Sequence, residues 1–158
     1  MNVLIIYDTI FGNTEQIARA IGTGIGSEAQ VSIVRVSDVK PDQLKGMQLL
    51  IIGSPTRAFS PSPAMKEFLG SILANSLRGV RVAAFDTRIA AHGAGALIFN
   101  PLAAVFGYAA EPIANRLAKC GGQQVIPPEG FFVLDSEGPL KEGEIERAKE
   151  WGRKVVGA

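Results

Sequence analysis

Thr9, Gly12, Asn13 and Thr14 place two hydroxyls, a carboxamide and a backbone position without a side chain inside one short turn. Donors of this kind hold an oxyanion: the side chains donate, and the glycine lets the backbone approach closely. The flanking residues decide what the turn can do. Before it, residues 3–7 form an unbroken apolar run ending at Tyr7, which suits a strand buried on both faces. After it, Ile17, Ala18, Ile21 and Ile25 fall on one face of a helix. A strand, a hydroxyl-rich turn and a helix bring free backbone N–H groups and the positive end of a helix dipole to one point. That is the geometry of a phosphate site.

Two nucleotide motifs are absent. No G-x-x-x-x-G-K-[ST] is present, which excludes the triphosphate loop with its lysine and magnesium-binding hydroxyl. No G-x-G-x-x-G follows the first strand, which excludes the dinucleotide fingerprint. Residues 9–14 contain neither Lys nor Arg. A neutral donor set at a helix end suits one terminal phosphate better than a polyphosphate.

Ile5-Ile6-Tyr7, then Thr9, Gly12 and Thr14, then Ala18 and Ile21 together resemble the flavodoxin signature: two apolar residues and an aromatic, a hydroxyl, a small residue and a threonine, then alanine and an aliphatic. The resemblance implies FMN as cofactor, with Thr9, Ile10, Phe11, Gly12, Asn13 and Thr14 wrapped around its phosphate. The competing reading of these residues is a strand–turn–helix that holds no ligand.

Composition sets further bounds. The 158 residues predict one domain, 1–158, and 47% apolar content with 18 glycines suits a compact α/β protein. A net charge of +1 offers no electrostatic case for nucleic acid or an anionic membrane. Cys120 is the one cysteine, which excludes an internal disulfide; it reads as a buried small hydrophobe near a helix end. One His and one Cys cannot furnish a metal ligand set. The chain runs directly into its first strand with no signal-like segment before it, which predicts a cytoplasmic protein.

Further strands are predicted over 31–36, 47–53, 80–85 and 123–134, the last interrupted by Pro127 and Pro128. Ser32 and Arg35 suggest that 31–36 lies at an edge. Helices are predicted over 63–73, 111–119 and 143–156. Strands alternating with helices imply a doubly wound parallel sheet with helices on both faces, and the flavodoxin-like strand order is 2-1-3-4-5. Ligands in such sheets bind beyond the carboxyl ends of the strands at the switch point. That rule nominates the loops 9–14, 54–63 and 86 onward.

In the second loop Pro55, Pro61 and Pro63 stiffen the backbone. Ser54 and Thr56 can donate hydrogen bonds, and Arg57 and Phe59 can lie against a ring face. Flavodoxins often carry an aromatic residue here; Arg57 stands near that place, and Phe59 is its candidate substitute. Ordinary packing of Phe59 under the loop, and a solvent-facing Arg57, are the plainer readings. The resemblance makes Ser54, Pro55, Thr56, Arg57, Ala58 and Phe59 candidate cofactor contacts. The third loop adds Asp86, Thr87 and Arg88, near the polar edge of the ring. Residues 89–110 then hold no Asp, Glu, Lys or Arg, while Gly93, Gly95, Asn100, Pro101 and Gly107 break any membrane span. This segment reads either as an enlarged loop with a buried helix, or as an apolar surface for a homodimer, a redox partner or a quinone-like substrate. His92 within it is either a proton relay or a solvated loop residue.

Flavodoxins surround the flavin with carboxylates, whereas only Glu67 and Asp86 are acidic between Ser54 and Ala110. The expectation is a reduced flavin less disfavoured than in an acidic flavodoxin. The main functional expectation is an FMN-binding electron carrier working between a reductase and an acceptor, with no catalytic residue of its own. The alternatives are a small NAD(P)H-dependent quinone or flavin reductase, and an FMN-free interaction module of the same fold.

Overall fold

The computed structural model describes residues 1–89 and 107–158. His92 and the apolar residues Leu97, Ile98, Phe99, Leu102, Val105 and Phe106 lie outside the described residues, so the readings placed on them receive no structural account.

The described strands are β1 (Asn2–Tyr7), β2 (Gln30–Arg35), β3 (Leu49–Pro55), β4 (Arg81–Ile89), β5 (Gln123–Gln124) and β6 (Glu129–Val133). The helices are α1 (Asn13–Ile25), α2 (Pro63–Ser71), α3 (Ala110–Lys119) and α4 (Glu144–Gly157). All strand pairs in the sheet are parallel, in the order β2-β1-β3-β4-β5, as expected. β6 is an additional strand that also pairs with β4. The two share one position: β5 lies beside Arg81 and Val82, β6 beside Phe85 to Ile89. Pro127 and Pro128 stand between them, where two missing N–H groups interrupt the ladder.

Period-two alternation along the strands sends side chains to opposite faces. Val3, Ile5, Tyr7, Leu49, Ile51, Ala83 and Phe85 meet α1 and α4 on one face. Leu4, Ile6, Leu50, Ile52, Val82 and Ala84 meet α2 and α3 on the other. Phe85, Phe131 and Trp151 pack edge to face at centroid distances of 6.1–6.2 Å in the first core. Helices α1 and α4 approach so closely that a Cβ on Gly24 would stand 2.0 Å from the Lys149 carbonyl oxygen, and one on Gly152 2.4 Å from that of Ile21. Only glycine permits this crossing. Cys120 is buried just after α3, with its thiol facing the Ile72 carbonyl.

The largest difference from the sequence reading is at β4. It runs to Ile89 rather than stopping at Phe85, so Asp86, Thr87 and Arg88 are strand residues and not the start of a loop. Paired neighbours explain the extension: β3 accompanies it to Pro55–Thr87, and β6 accompanies it to Ile89–Val133. Helix α2 ends at Ser71, two residues before the expected stop.

Candidate functional site

An open cleft of about 460 Å³ lies at the carboxyl ends of β1, β3, β4 and β6. It is lined by Thr9, Ile10, Phe11, Asn13 and Thr14 from the first turn, by Pro55, Thr56 and Arg57 after β3, and by Thr87, Arg88 and Ile89 from β4. Val133, the last residue of β6, and Ser136 beyond it complete the lining.

The first turn is built to leave donors over. Gly12 precedes α1 at φ 91°, a left-handed conformation suited to glycine, and no side chain caps the helix. Among the described residues, no side chain accepts from the first-turn N–H groups of α1 that begin at the cleft-lining Asn13 and Thr14. Thr9 Oγ1 accepts the Gly12 N–H at 2.9 Å, which keeps its own hydroxyl proton for another acceptor. Thr14 Oγ1 and Thr87 Oγ1 lie 2.8 Å apart; one donates, so the other's proton is left over. Asn13 Nδ2 donates to the Glu137 carbonyl at 3.2 Å and ties the loop after β6 to this turn. Glu15, in the first turn of α1, would oppose an anion, but Arg19 holds its carboxylate through two bonds of 3.0 and 2.8 Å and draws it below the ordinary range.

The other loops are fastened to one another. Thr56 Oγ1 accepts the Ala109 N–H at 3.1 Å, and Thr56 N–H donates to the Thr87 carbonyl at 2.9 Å. Asp86 is fully buried and meets Arg88 in a two-pronged pair, both bonds 2.7 Å, and it also accepts the Ala110 N–H at 2.9 Å. Burial raises the Asp86 pKa; the Arg88 bonds and the Ala110 N–H pull it down without cancelling the effect. The Arg88 guanidinium lies 3.7 Å from the centroid of the Tyr108 ring.

Ten of the fifteen residues singled out in the sequence come together in the cleft lining: Thr9, Ile10, Phe11, Asn13, Thr14, Pro55, Thr56, Arg57, Thr87 and Arg88. Gly12 contributes backbone shape. Ser54, Ala58, Phe59 and Asp86 stand outside the lining. The Ser54 hydroxyl is spent on the Pro55 carbonyl and the Ser62 N–H, and Asp86 on Arg88. Ala58 and Phe59 form the tip of a hairpin closed by Arg57 and Ser60, with φ 45° and 64°. This strained turn turns an exposed Arg57 toward the cleft. Sequence reasoning missed Val133 and Ser136, because the rule of strand ends was applied to strands 1, 3 and 4 and not to the fifth. It counted Ile89 with the following apolar segment.

Among the described residues, no helix is long and apolar enough to cross a membrane, and no group of His, Cys, Asp and Glu could hold a metal ion.

Similar folds occur in known proteins. An archaeal flavodoxin structure superimposes with a TM-score of 0.75 at 23% identity, covering 99% of this chain and 97% of that one. Flavodoxin 1 of Bacillus cereus gives 0.77 at 16% identity, covering 99% and 98%. In sequence, the chain is 24% identical to an NAD(P)H dehydrogenase (quinone) of Archaeoglobus fulgidus, covering 98% of this chain and 95% of that protein. The flavodoxin family model matches residues 5–151. With that match across nearly its whole length, and with the uncapped helix and donor-lined cleft in place, the chain belongs to the flavodoxin family.

Proposed function

We propose that this protein is an electron carrier that holds FMN in the cleft, its phosphate at residues 9–14 and its ring against Pro55, Arg57 and Ile89. Flavodoxins bind FMN and pass electrons to redox partners. The observation that carries the reading is the one-sided donor set. The Thr9 and Thr56 hydroxyls serve the protein as acceptors, and their protons, with one from the Thr14–Thr87 pair and the first-turn N–H groups of α1, remain for a ligand. No carboxylate lines the cleft among the described residues. Such a set accepts an anion and disfavours a cation. Ile10, Phe11 and Ile89 line the same cleft at 48%, 47% and 53% exposure, apolar surface that a planar ring would cover.

Bound FMN supplies one- and two-electron transfer. The chain's own part is to fix the phosphate and to set the charge felt by the ring. Arg88 is neutralised by Asp86, so among the described residues Arg57 is the remaining charge in the lining, and it is exposed. Negative charge gained on reduction then meets no ring of carboxylates, and the reduction potential is less negative than in an acid-lined flavodoxin. A potentiometric titration showing a strongly negative second step contradicts this.

A second reading is favoured by the Archaeoglobus fulgidus relative and by the apolar cleft walls: an NAD(P)H-dependent quinone reductase. The pure FMN-loaded protein, given NADH or NADPH and a quinone, separates the two. Carrier function predicts no steady oxidation until a separate reductase is added; steady turnover by the protein alone establishes the reductase.

A further inference from the structure

The phosphate turn contains no Lys or Arg, yet a carboxylate stands directly before it. Asp8 is buried, and its Oδ2 receives the Ser62 hydroxyl at 2.5 Å. An uncompensated charge at that place would repel an incoming phosphate and would be costly to bury. Arg35, the last residue of β2, reaches across from the sheet edge. Its Nη2 donates to the Thr9 carbonyl at 2.7 Å, and its Nε and Nη2 both face Asp8 Oδ1 at 3.4 Å. Its side chain stays 46% exposed, so the contact is not a product of core packing. The Thr9 carbonyl is thereby occupied on the β2 side, while the Thr9 hydroxyl and the turn's N–H groups are left for the cleft.

We propose that Arg35 is the positioning and charge-balancing residue of the phosphate turn, and that it makes the site select phosphorylated flavin over unphosphorylated flavin. The inference rests on the FMN reading above and adds a residue from an element that does not touch the cleft. Its action is indirect: it braces Thr9 and cancels Asp8. Both effects concern the phosphate and not the ring.

The test compares FMN with riboflavin, which share the ring and differ in the phosphate. Each is titrated into wild type, Arg35→Ala, Arg35→Lys, Asp8→Asn and the Arg35→Ala/Asp8→Asn double variant, with flavin fluorescence as readout. Arg35→Ala is expected to weaken FMN about tenfold or more, and to leave riboflavin within about twofold. Arg35→Lys, which keeps the charge, loses less. In the double variant, removing the stranded carboxylate restores much of the FMN affinity, a coupling that a purely structural arginine would not show. Equal losses for both flavins, an unchanged FMN to riboflavin ratio, or a double variant no better than Arg35→Ala overturns the inference while the FMN reading stands. A wild-type protein that binds neither flavin removes both.

Discussion

Helices α1 and α3 start beside the same cleft and are finished in opposite ways. α1 begins on Gly12, with no side-chain cap. α3 begins where the Thr56 hydroxyl accepts the Ala109 N–H and the Asp86 carboxylate accepts that of Ala110. One helix start is closed by its own protein and contributes rigidity; the other is left open and can bind. A third start sharpens the contrast. α4 also follows a left-handed glycine, Gly143, but its first turn carries Glu144 and Glu146, so acidic side chains of the chain meet its dipole. An open helix end becomes a ligand site only where a lined cleft lies in front of it.

Breaking the closed side should give the largest effect, on stability. Arg88→Met strands the Asp86 carboxylate and is expected to cost about 3–5 kcal/mol at neutral pH, measured by urea unfolding with Trp151, the single tryptophan, as the probe. The sign with pH follows from Asp86. Its folded pKa lies above its unfolded value, so the folded state binds the proton more tightly and gains stability as pH falls through that window. The deficit of Arg88→Met should therefore shrink on acidification.

Breaking the open side should act on ligand and much less on fold. Gly12→Asp puts a carboxylate where phosphate is to sit, and is expected to weaken FMN about 100-fold, or about 2.7 kcal/mol. Riboflavin should change far less, and comparable losses for both would erase the contrast. A matched pair tests the two threonines. Thr9→Val should lower FMN affinity about tenfold, and Thr56→Val, whose hydroxyl both borders the cleft and accepts the Ala109 N–H, should weaken FMN and in addition lower stability by about 1 kcal/mol through its lost cap. A stability loss seen for Thr9→Val and not for Thr56→Val would show that the two helix starts have been confused.

An effect smaller than that of Arg88→Met belongs to α4. Glu144 accepts the Phe132 N–H at 2.7 Å and pairs with Arg147 at 2.6 Å. Burial would raise its pKa, but the Arg147 bond and the Phe132 N–H outweigh it and hold the carboxyl below the ordinary range. Its stabilisation is present above the unfolded pKa and is lost as pH falls through the lower folded value. Glu144→Gln should cost about 1–2 kcal/mol at neutral pH and flatten the acid limb of a stability–pH curve.

The architecture was legible because it is written in periodicity. The apolar runs of β1 and β3 and the face of α1 need no tertiary information, and Pro127 and Pro128 announce the break between β5 and β6. The first turn was legible for the same reason, since Thr9 to Thr14 are contiguous. What could not be read depends on which hydroxyl bonds to which partner. Ser54 and Thr56 look alike in sequence, yet one is spent on Ser62 and the other borders the cleft. Asp86 looks like a loop carboxylate until β6 pairs alongside and Arg88 folds onto it. Arg35 suggests an edge strand, and nothing near it in sequence reveals that it reaches Thr9.

The most direct test of the account is a titration of flavin-free protein with FMN and with riboflavin, followed by visible absorption. The account predicts saturable binding of FMN, at least about tenfold tighter than riboflavin, because the open start of α1 and the Thr9 hydroxyl act on the phosphate. Equal affinity for the two, or binding of neither, would contradict it.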